Sequence, residues 1–241
     1  MTSGVCREGE YREVVYSRDR WELLRRMRER AAEIMRPFTR YGFRPYAYGS
    51  LARGDVKETS DIDITFLTVV DPSLIEHILA SEGFSIEAKY IVMATPTYTP
   101  KAYIWLDAEG REQVSFFIAE PRPTSIDFYR FGGLIDYPGL ERGNRVPGVD
   151  KRLMLIQPTE TGHVESCIIG REGEVARLLG VAQEVVMERV RKLTRRSRVG
   201  RTGVYLEYRL APGESIAEAI SHLKRVNKYF RWQVEGRSAV T

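Results

Sequence analysis

The chain has 241 residues, 43% of them hydrophobic and 29% charged, enough to bury the core of one large domain or two small ones. Its 37 basic and 33 acidic residues leave a formal charge of +4, too mild an excess to imply a nucleic-acid partner unless it is concentrated in one place. No apolar run approaches the roughly 20 residues that cross a bilayer, and the opening MTSGVCREGEYREVV lacks the apolar region of a secretory signal. A cytoplasmic chain is therefore expected, with Cys6 and Cys167 as reduced thiols, since neither has a C-x-x-C partner nor a histidine at metal spacing.

Residues 17–38 read as a helix, because Leu24, Met27, Ala31, Ile34, Met35 and Phe38 recur every three or four positions. Gly42 breaks it, and residues 44–48 read as a short strand. Gly49-Ser50 then turns the chain into a short helix from Leu51. Residues 61–70, DIDITFLTVV, alternate and then become apolar, the pattern of a central strand. Asp71-Pro72 opens a helix with Leu74, Ile75, Ile78 and Leu79 on its buried face, stopping at Gly83. A strand over 85–93 follows, then a hairpin of 102–106 with 113–119 around Asp107-Ala-Glu-Gly110. Residues 120–165 are rich in glycine and proline and predict a connector between two domains, with one strand at 153–156. His77, His163 and His222 stand alone and are expected at the surface or as caps.

From Gly173 the pattern predicts two amphipathic helices hinged at Gly180, as in a helix-turn-helix. The basic stretch RVGRTGVYLEYRL would then form a wing-like hairpin, and a last amphipathic helix would span 215–230. Arg189, Arg191, Lys192, Arg195, Arg196, Arg198 and Arg201 follow one another with no acid between Arg189 and Leu206, a concentration suited to neutralising the phosphates of a nucleic acid. The last helix offers an apolar face to a second copy of the chain in a homo-oligomer.

The chemistry lies in Tyr48–Thr65, YGSLARGDVKETSDIDIT. A tight glycine turn entering a helix presents backbone N–H groups to an anion, and the Ser50 hydroxyl can donate one bond more. Asp61 and Asp63 are i and i+2 of a strand and project together. Carboxylates that close repel without a cation between them, and oxygen ligands favour Mg²⁺ or Mn²⁺.

At these residues the chain resembles the DNA polymerase beta-like nucleotidyltransferase superfamily, whose pattern is G-S, about ten residues, then D-x-D. Arg53-Gly54 and Ser60 stand where many members have R-G and a serine before D-x-D. The resemblance covers roughly residues 20–120. It implies a mixed-sheet α/β domain over 1–120; the residue pattern adds the connector (121–165) and a small α+β, winged-helix-like domain (166–241). It also implies that a nucleoside monophosphate passes from an NTP, ATP among them, to an acceptor hydroxyl. Asp61 and Asp63 would be the catalytic aspartates holding two divalent cations, Mg²⁺ or Mn²⁺. Gly49, Ser50, Arg53, Lys57 and Ser60 would bind the nucleotide. The third carboxylate usual in catalytic members is expected on the second hairpin strand, where Ser115 stands; Glu112, Glu120 or Asp127 is left to supply it. Without one, the chain would be a catalytically weak relative acting as a nucleic-acid-binding or regulatory factor.

Overall fold

A computed structural model of the chain describes residues 4–200 and 203–236. Its first half runs β1 (Tyr11–Val15), α1 (Arg18–Arg40), β2 (Tyr46–Tyr48), α2 (Ser50–Arg53), β3 (Ile62–Val69), α3 (Pro72–Ser81), β4 (Ala88–Met93), β5 (Lys101–Trp105) and β6 (Glu112–Phe117). Then come α4 (Pro123–Gly132), β7 (Leu134–Asp136), α5 (Tyr137–Glu141), β8 (Gly148–Val149), β9 (Met154–Thr159) and β10 (Gly162–Cys167). The remainder is α6 (Glu172–Leu179), α7 (Gln183–Val199), β11 (Leu206–Arg209), α8 (Ile216–Val226) and α9 (Lys228–Glu235). These elements fall into two compact units, each gathered from three stretches of chain.

Among the described residues, one unit comprises 34–45, 61–122 and 203–236. Its strands are ordered β11-β4-β5-β6-β3, with β3 and β6 parallel and the other neighbours antiparallel. Alternation divides this sheet cleanly. Ile62, Ile64, Phe66, Val114, Phe116, Ala102, Ile104, Ile91 and Met93 are all buried and occupy one face, where the Phe38 ring meets Phe66 edge-on at 5.1 Å. Burying each such aliphatic or aromatic side chain stabilises the fold by roughly 1.5–3 kcal/mol. The other face carries Asp63, Thr65, Gln113, Ser115, Lys101, Tyr103, Trp105 and Tyr90. Helix α3 starts as expected, the Asp71 carboxylate accepting from Ser73 N at 2.8 Å and Leu74 N at 3.4 Å. Ser215 and Glu218 form a capping box on α8. The predicted last helix is broken at Asn227, whose side chain caps α9 by accepting from Tyr229 N and Phe230 N.

Among the described residues, the other unit comprises 4–33, 46–60 and 123–200. It holds an antiparallel sheet β1-β10-β9-β8 and the antiparallel pair β2 and β7. Its buried cluster includes Phe131, Leu153, Leu155, Ile156, Val175, Val186 and Leu193. The stretch expected as a connector, 121–165, is thus largely the framework of a folded unit. Its glycines serve close approaches as well as turns: a Cβ on Gly162 would lie 1.9 Å from Val14 O in the adjacent strand.

The helix-turn-helix pattern does give α6 and α7, with Gly180 between them at φ 61. Among the described residues no wing hairpin is seen. Strand β11 pairs with β4, so residues 203–236 join the first unit, and the expected 166–241 domain is divided. Two local expectations also change. Cys6 and Cys167 form a disulfide, Cα–Cα 5.7 Å, because Cys6 N bonds Arg152 O and Cys167 N bonds Glu10 O, both at 2.8 Å, drawing the N-terminal segment to the end of β10. His163 is 1% exposed, its Nδ1 2.6 Å from Tyr16 Oη and its Nε2 3.1 Å from Glu165 Oε1.

Candidate functional site

The Gly49-Ser50 turn is held from several sides. Gly49 adopts φ 77, ψ −141, a conformation open to glycine and strained for other residues, and its N–H bonds Gly133 O at 2.9 Å. Helix α2 is one turn long and ends at Gly54, φ 93, whose N–H bonds Ser50 O at 2.7 Å. The carbonyls at its end are taken by the buried Arg28, which donates to Leu51 O at 3.1 Å and Ala52 O at 3.2 Å. Burial, and then the charge of Arg145, pull this guanidinium down to about 10.

Arg53 does not reach outward for phosphate as expected. It is 5% exposed and grips Asp55 with both arms, Nε–Oδ1 2.9 Å and Nη2–Oδ2 3.0 Å, while Nη1 donates to Gly132 O at 2.5 Å. Its fork geometry matches the carboxylate, and its role is to brace the turn. Lys57 is exposed; its backbone N–H donates to Ser60 Oγ at 2.9 Å, so Ser60 closes the loop ahead of Asp61.

Asp61 directly precedes β3 and Asp63 lies on it. The parallel register places Gln113 of β6 opposite Asp63, and Ser115 opposite Thr65 one step further on. Gln113 Nε2 donates to Asp63 Oδ1. The side chain facing the catalytic-type aspartate is therefore an amide that donates, whereas the sequence pattern pointed to Ser115. Ser115 lies deeper, its hydroxyl 3.0 Å from Lys101 Nζ and 3.2 Å from Thr65 Oγ1. Lys101 is 7% exposed, its ammonium also 3.4 Å from Thr65 Oγ1 and 5.1 and 5.0 Å from the Tyr103 and Phe117 ring centres. Burial pulls Lys101 down to about 7, with the charge of Asp63 opposing. Burial and the same charge push Tyr103 up to about 12. Sequence reading passed over both Gln113 and Lys101. The signal for the second was a lysine in register with Tyr103 and Trp105 in KAYIW.

The other expected acids lie elsewhere. Glu112 is opposite Ile62, on the alternate step from Asp63. Glu120 is exposed after β6, with Thr99 Oγ1 donating to its carbonyl. Asp127 accepts from Ala182 N at 2.9 Å and from Arg130 at 3.5 Å, tying α4 to the residue that precedes α7. Among the described residues no group of three or more His, Cys, Asp or Glu is placed to hold a metal ion. Asp61 and Asp63 are hard oxygen donors, the type that Mg²⁺ takes when it uses only one or two carboxylates.

Along α7, Arg191, Arg195, Arg196 and Arg198 are exposed. Arg189 lies over the Phe128 ring at 4.8 Å, Lys192 pairs with Glu188, and Arg201 falls outside the described residues.

Residues 28–105 match a family model for the nucleotidyltransferase domain. That span runs from within α1 to the end of β5 and takes in the Gly49-Ser50 turn and the Asp61 and Asp63 strand. It supports the superfamily and nucleotidyl transfer as the general chemistry, and it stops before β6 and Gln113. Searches of curated proteins and of solved structures return no match. No helix among the described residues is long and apolar enough to cross a membrane.

Proposed function

We propose that the chain is a divalent-metal-dependent nucleotidyltransferase moving a nucleoside monophosphate from an NTP to an acceptor hydroxyl. The observation that carries this reading is a nucleotidyltransferase-domain match that spans both the glycine turn and the paired aspartates. Asp61 and Asp63 would hold Mg²⁺ or Mn²⁺, and Gly49, Ser50, Lys57 and Ser60 would meet the triphosphate. The metal, when bound, supplies positive charge to the phosphates and lowers the pKa of a bound hydroxyl. In the reaction the acceptor oxygen bonds to the α-phosphorus and the bond to the α,β-bridging oxygen breaks. Pyrophosphate leaves, and the hydroxyl proton passes to solvent. The chain's part is positioning, with Gly49 letting the backbone approach the phosphates and the Arg28 and Arg53 braces fixing the turn.

The exposed arginines of α7 support a polynucleotide as a further partner, through sequence-independent contact with phosphate. Gln113 opposite Asp63 favours a second reading, nucleotide binding with little turnover, because an amide neither ligates a hard cation as a carboxylate does nor takes a proton. Incubation with each α-labelled NTP, Mn²⁺ and pools of RNA, DNA and protein separates the two. Label transferred by the native chain and lost in Asp63→Ala supports the enzyme. Nucleotide retention with no transfer to any pool supports the second reading, and retention of no nucleotide refutes both.

A further inference from the structure

Helix α8, whose apolar stripe the sequence offered to a second copy, covers it within the chain. Ile216, Ala219 and Leu223 are buried, and the helix packs against α3 and β4. A surface without a partner lies instead along β11. That strand ends the order β11-β4-β5-β6-β3, and no strand among the described residues pairs with its outer side. Glu207 and Arg209 lie opposite Val92 and Tyr90, on the polar face, and both are exposed. Neither forms an ion pair among the described residues; the Arg209 guanidinium stands 5.8 Å from the Tyr90 ring centre. Leu206 and Tyr208 take the helix-covered face, where the Tyr208 hydroxyl donates to Glu214 at 3.0 Å. Apolar residues flank the strand on both sides. Val204 is 43% and Tyr205 40% exposed before it, and Ala211 and Pro212 are exposed after it.

An exposed edge strand is a template for pairing with another chain unless charge, proline or a covering element prevents it. The stretch VYLEYRLAP over 204–212 is self-complementary about Tyr208. Two copies laid antiparallel there put Glu207 opposite Arg209 of the second copy, twice by symmetry. They also put Leu206 opposite Leu210, Tyr205 opposite Ala211 and Val204 opposite Pro212. Opposite residues of an antiparallel pair share a face, so opposite charges meet and apolar residues meet apolar residues. A slip of two residues sets Glu207 against Glu207 or Arg209 against Arg209. A slip of one turns the helix-covered face of the copy over. One register is left without conflict. We propose that β11 is the self-association edge of this chain, its partner a second copy joined β11 to β11 in a two-fold dimer with one continuous sheet. This pairing goes beyond the nucleotidyltransferase reading and is independent of it.

Sedimentation equilibrium of the full chain through a dilution series reads the association. The native chain should reach twice 27.7 kDa and dissociate on dilution. Glu207→Arg sets arginine against arginine at both ends of the pairing, and Arg209→Glu sets glutamate against glutamate. Each alone should raise the dimer dissociation constant about tenfold or more. Mixed one to one, the two variants should recover a dimer, because every opposed pair is again of opposite charge. Glu207→Arg with Arg209→Glu in the same chain restores the same complementarity and should dimerise as the native chain does. It keeps the test decisive if a single variant fails to fold. A native chain that stays at 27.7 kDa at its highest soluble concentration overturns the inference. So does a dimer that either folded single variant leaves unchanged. A mixture of folded single variants, or a folded double variant, that remains monomeric overturns it as well.

Discussion

Arg53 gives the sharpest test of how the turn is built. Arg53→Ala removes two charge-assisted bonds to Asp55, at 2.9 and 3.0 Å, and one to Gly132 O. It leaves a carboxylate that is 8% exposed without the guanidinium facing it. Removing one partner of a buried ion pair costs about 3–5 kcal/mol, most of it the stranded charge. Replacing both partners by apolar residues of similar size, Arg53→Met with Asp55→Leu, removes the stranded charge. It should cost only about 1 kcal/mol, for the lost bond to Gly132 O. Urea unfolding of the two single variants and the double variant measures this as a cycle, with the double far more stable than the sum of the singles predicts. The same double variant decides what Arg53 does for the nucleotide. As a brace, it can be replaced with less than about a threefold loss of nucleotide affinity. A guanidinium contacting phosphate would be worth about 1.5–3 kcal/mol, or roughly 10–150-fold. A single-variant loss below about 1 kcal/mol, additivity in the cycle, or an affinity loss on that larger scale in a folded double variant would each refute the assignment.

The disulfide spans a sequence separation of 161, for which chain entropy alone gives about 5 kcal/mol. Cys6→Ser with Cys167→Ser, or reduction by dithiothreitol, should lower urea-unfolding stability by about 2–5 kcal/mol, and non-reducing mass measurement checks that the bond was present. Hydrogen bonding from His163 and Arg152 holds Glu165 down to about 2 from a usual value near 4.5. Its folded pKa lies below its unfolded one, so its stabilisation is present above about pH 4.5 and lost as pH falls from there towards 2. Thermal melts between pH 3 and 6 should show Tm falling with acid in the native chain and falling less steeply in Glu165→Gln. Arg195→Glu with Arg196→Glu should weaken polynucleotide binding alike for every sequence and flatten its salt dependence; unchanged affinity in a filter-binding titration would remove α7 as the contact.

What could be read in advance follows from the range of each interaction. The Asp71 cap, the Gly180 hinge and the β5–β6 hairpin depend on residues within a few positions of one another, and the structure contains all three. The Gly49-Ser50 turn and the D-x-D strand were legible for the same reason. The pairing of β10 with β1 was hidden because the two strands lie about 150 residues apart and meet at a glycine whose importance is the nearness of Val14 O. Likewise β11 carries too little local pattern to reveal that its partner is β4 rather than a wing of its own. The division into units could not be drawn from a linear change in composition, since each unit takes three separated stretches.

The same distinction governs the catalytic question. Asp61 and Asp63 announce themselves through spacing, but the residue that faces Asp63 is chosen by the register of two parallel strands about 50 residues apart. In a sheet, a register shift of two keeps every side chain on its face while exchanging its neighbour. That is the whole difference between Ser115, the position indicated by pattern, and Gln113, the position that donates to Asp63. Once the register is fixed, Ser115 ceases to be a missing acid and becomes a ligand of the Lys101 ammonium. What stands opposite Asp63 is then an amide, with the lysine in the neighbouring row on Thr65 and Ser115.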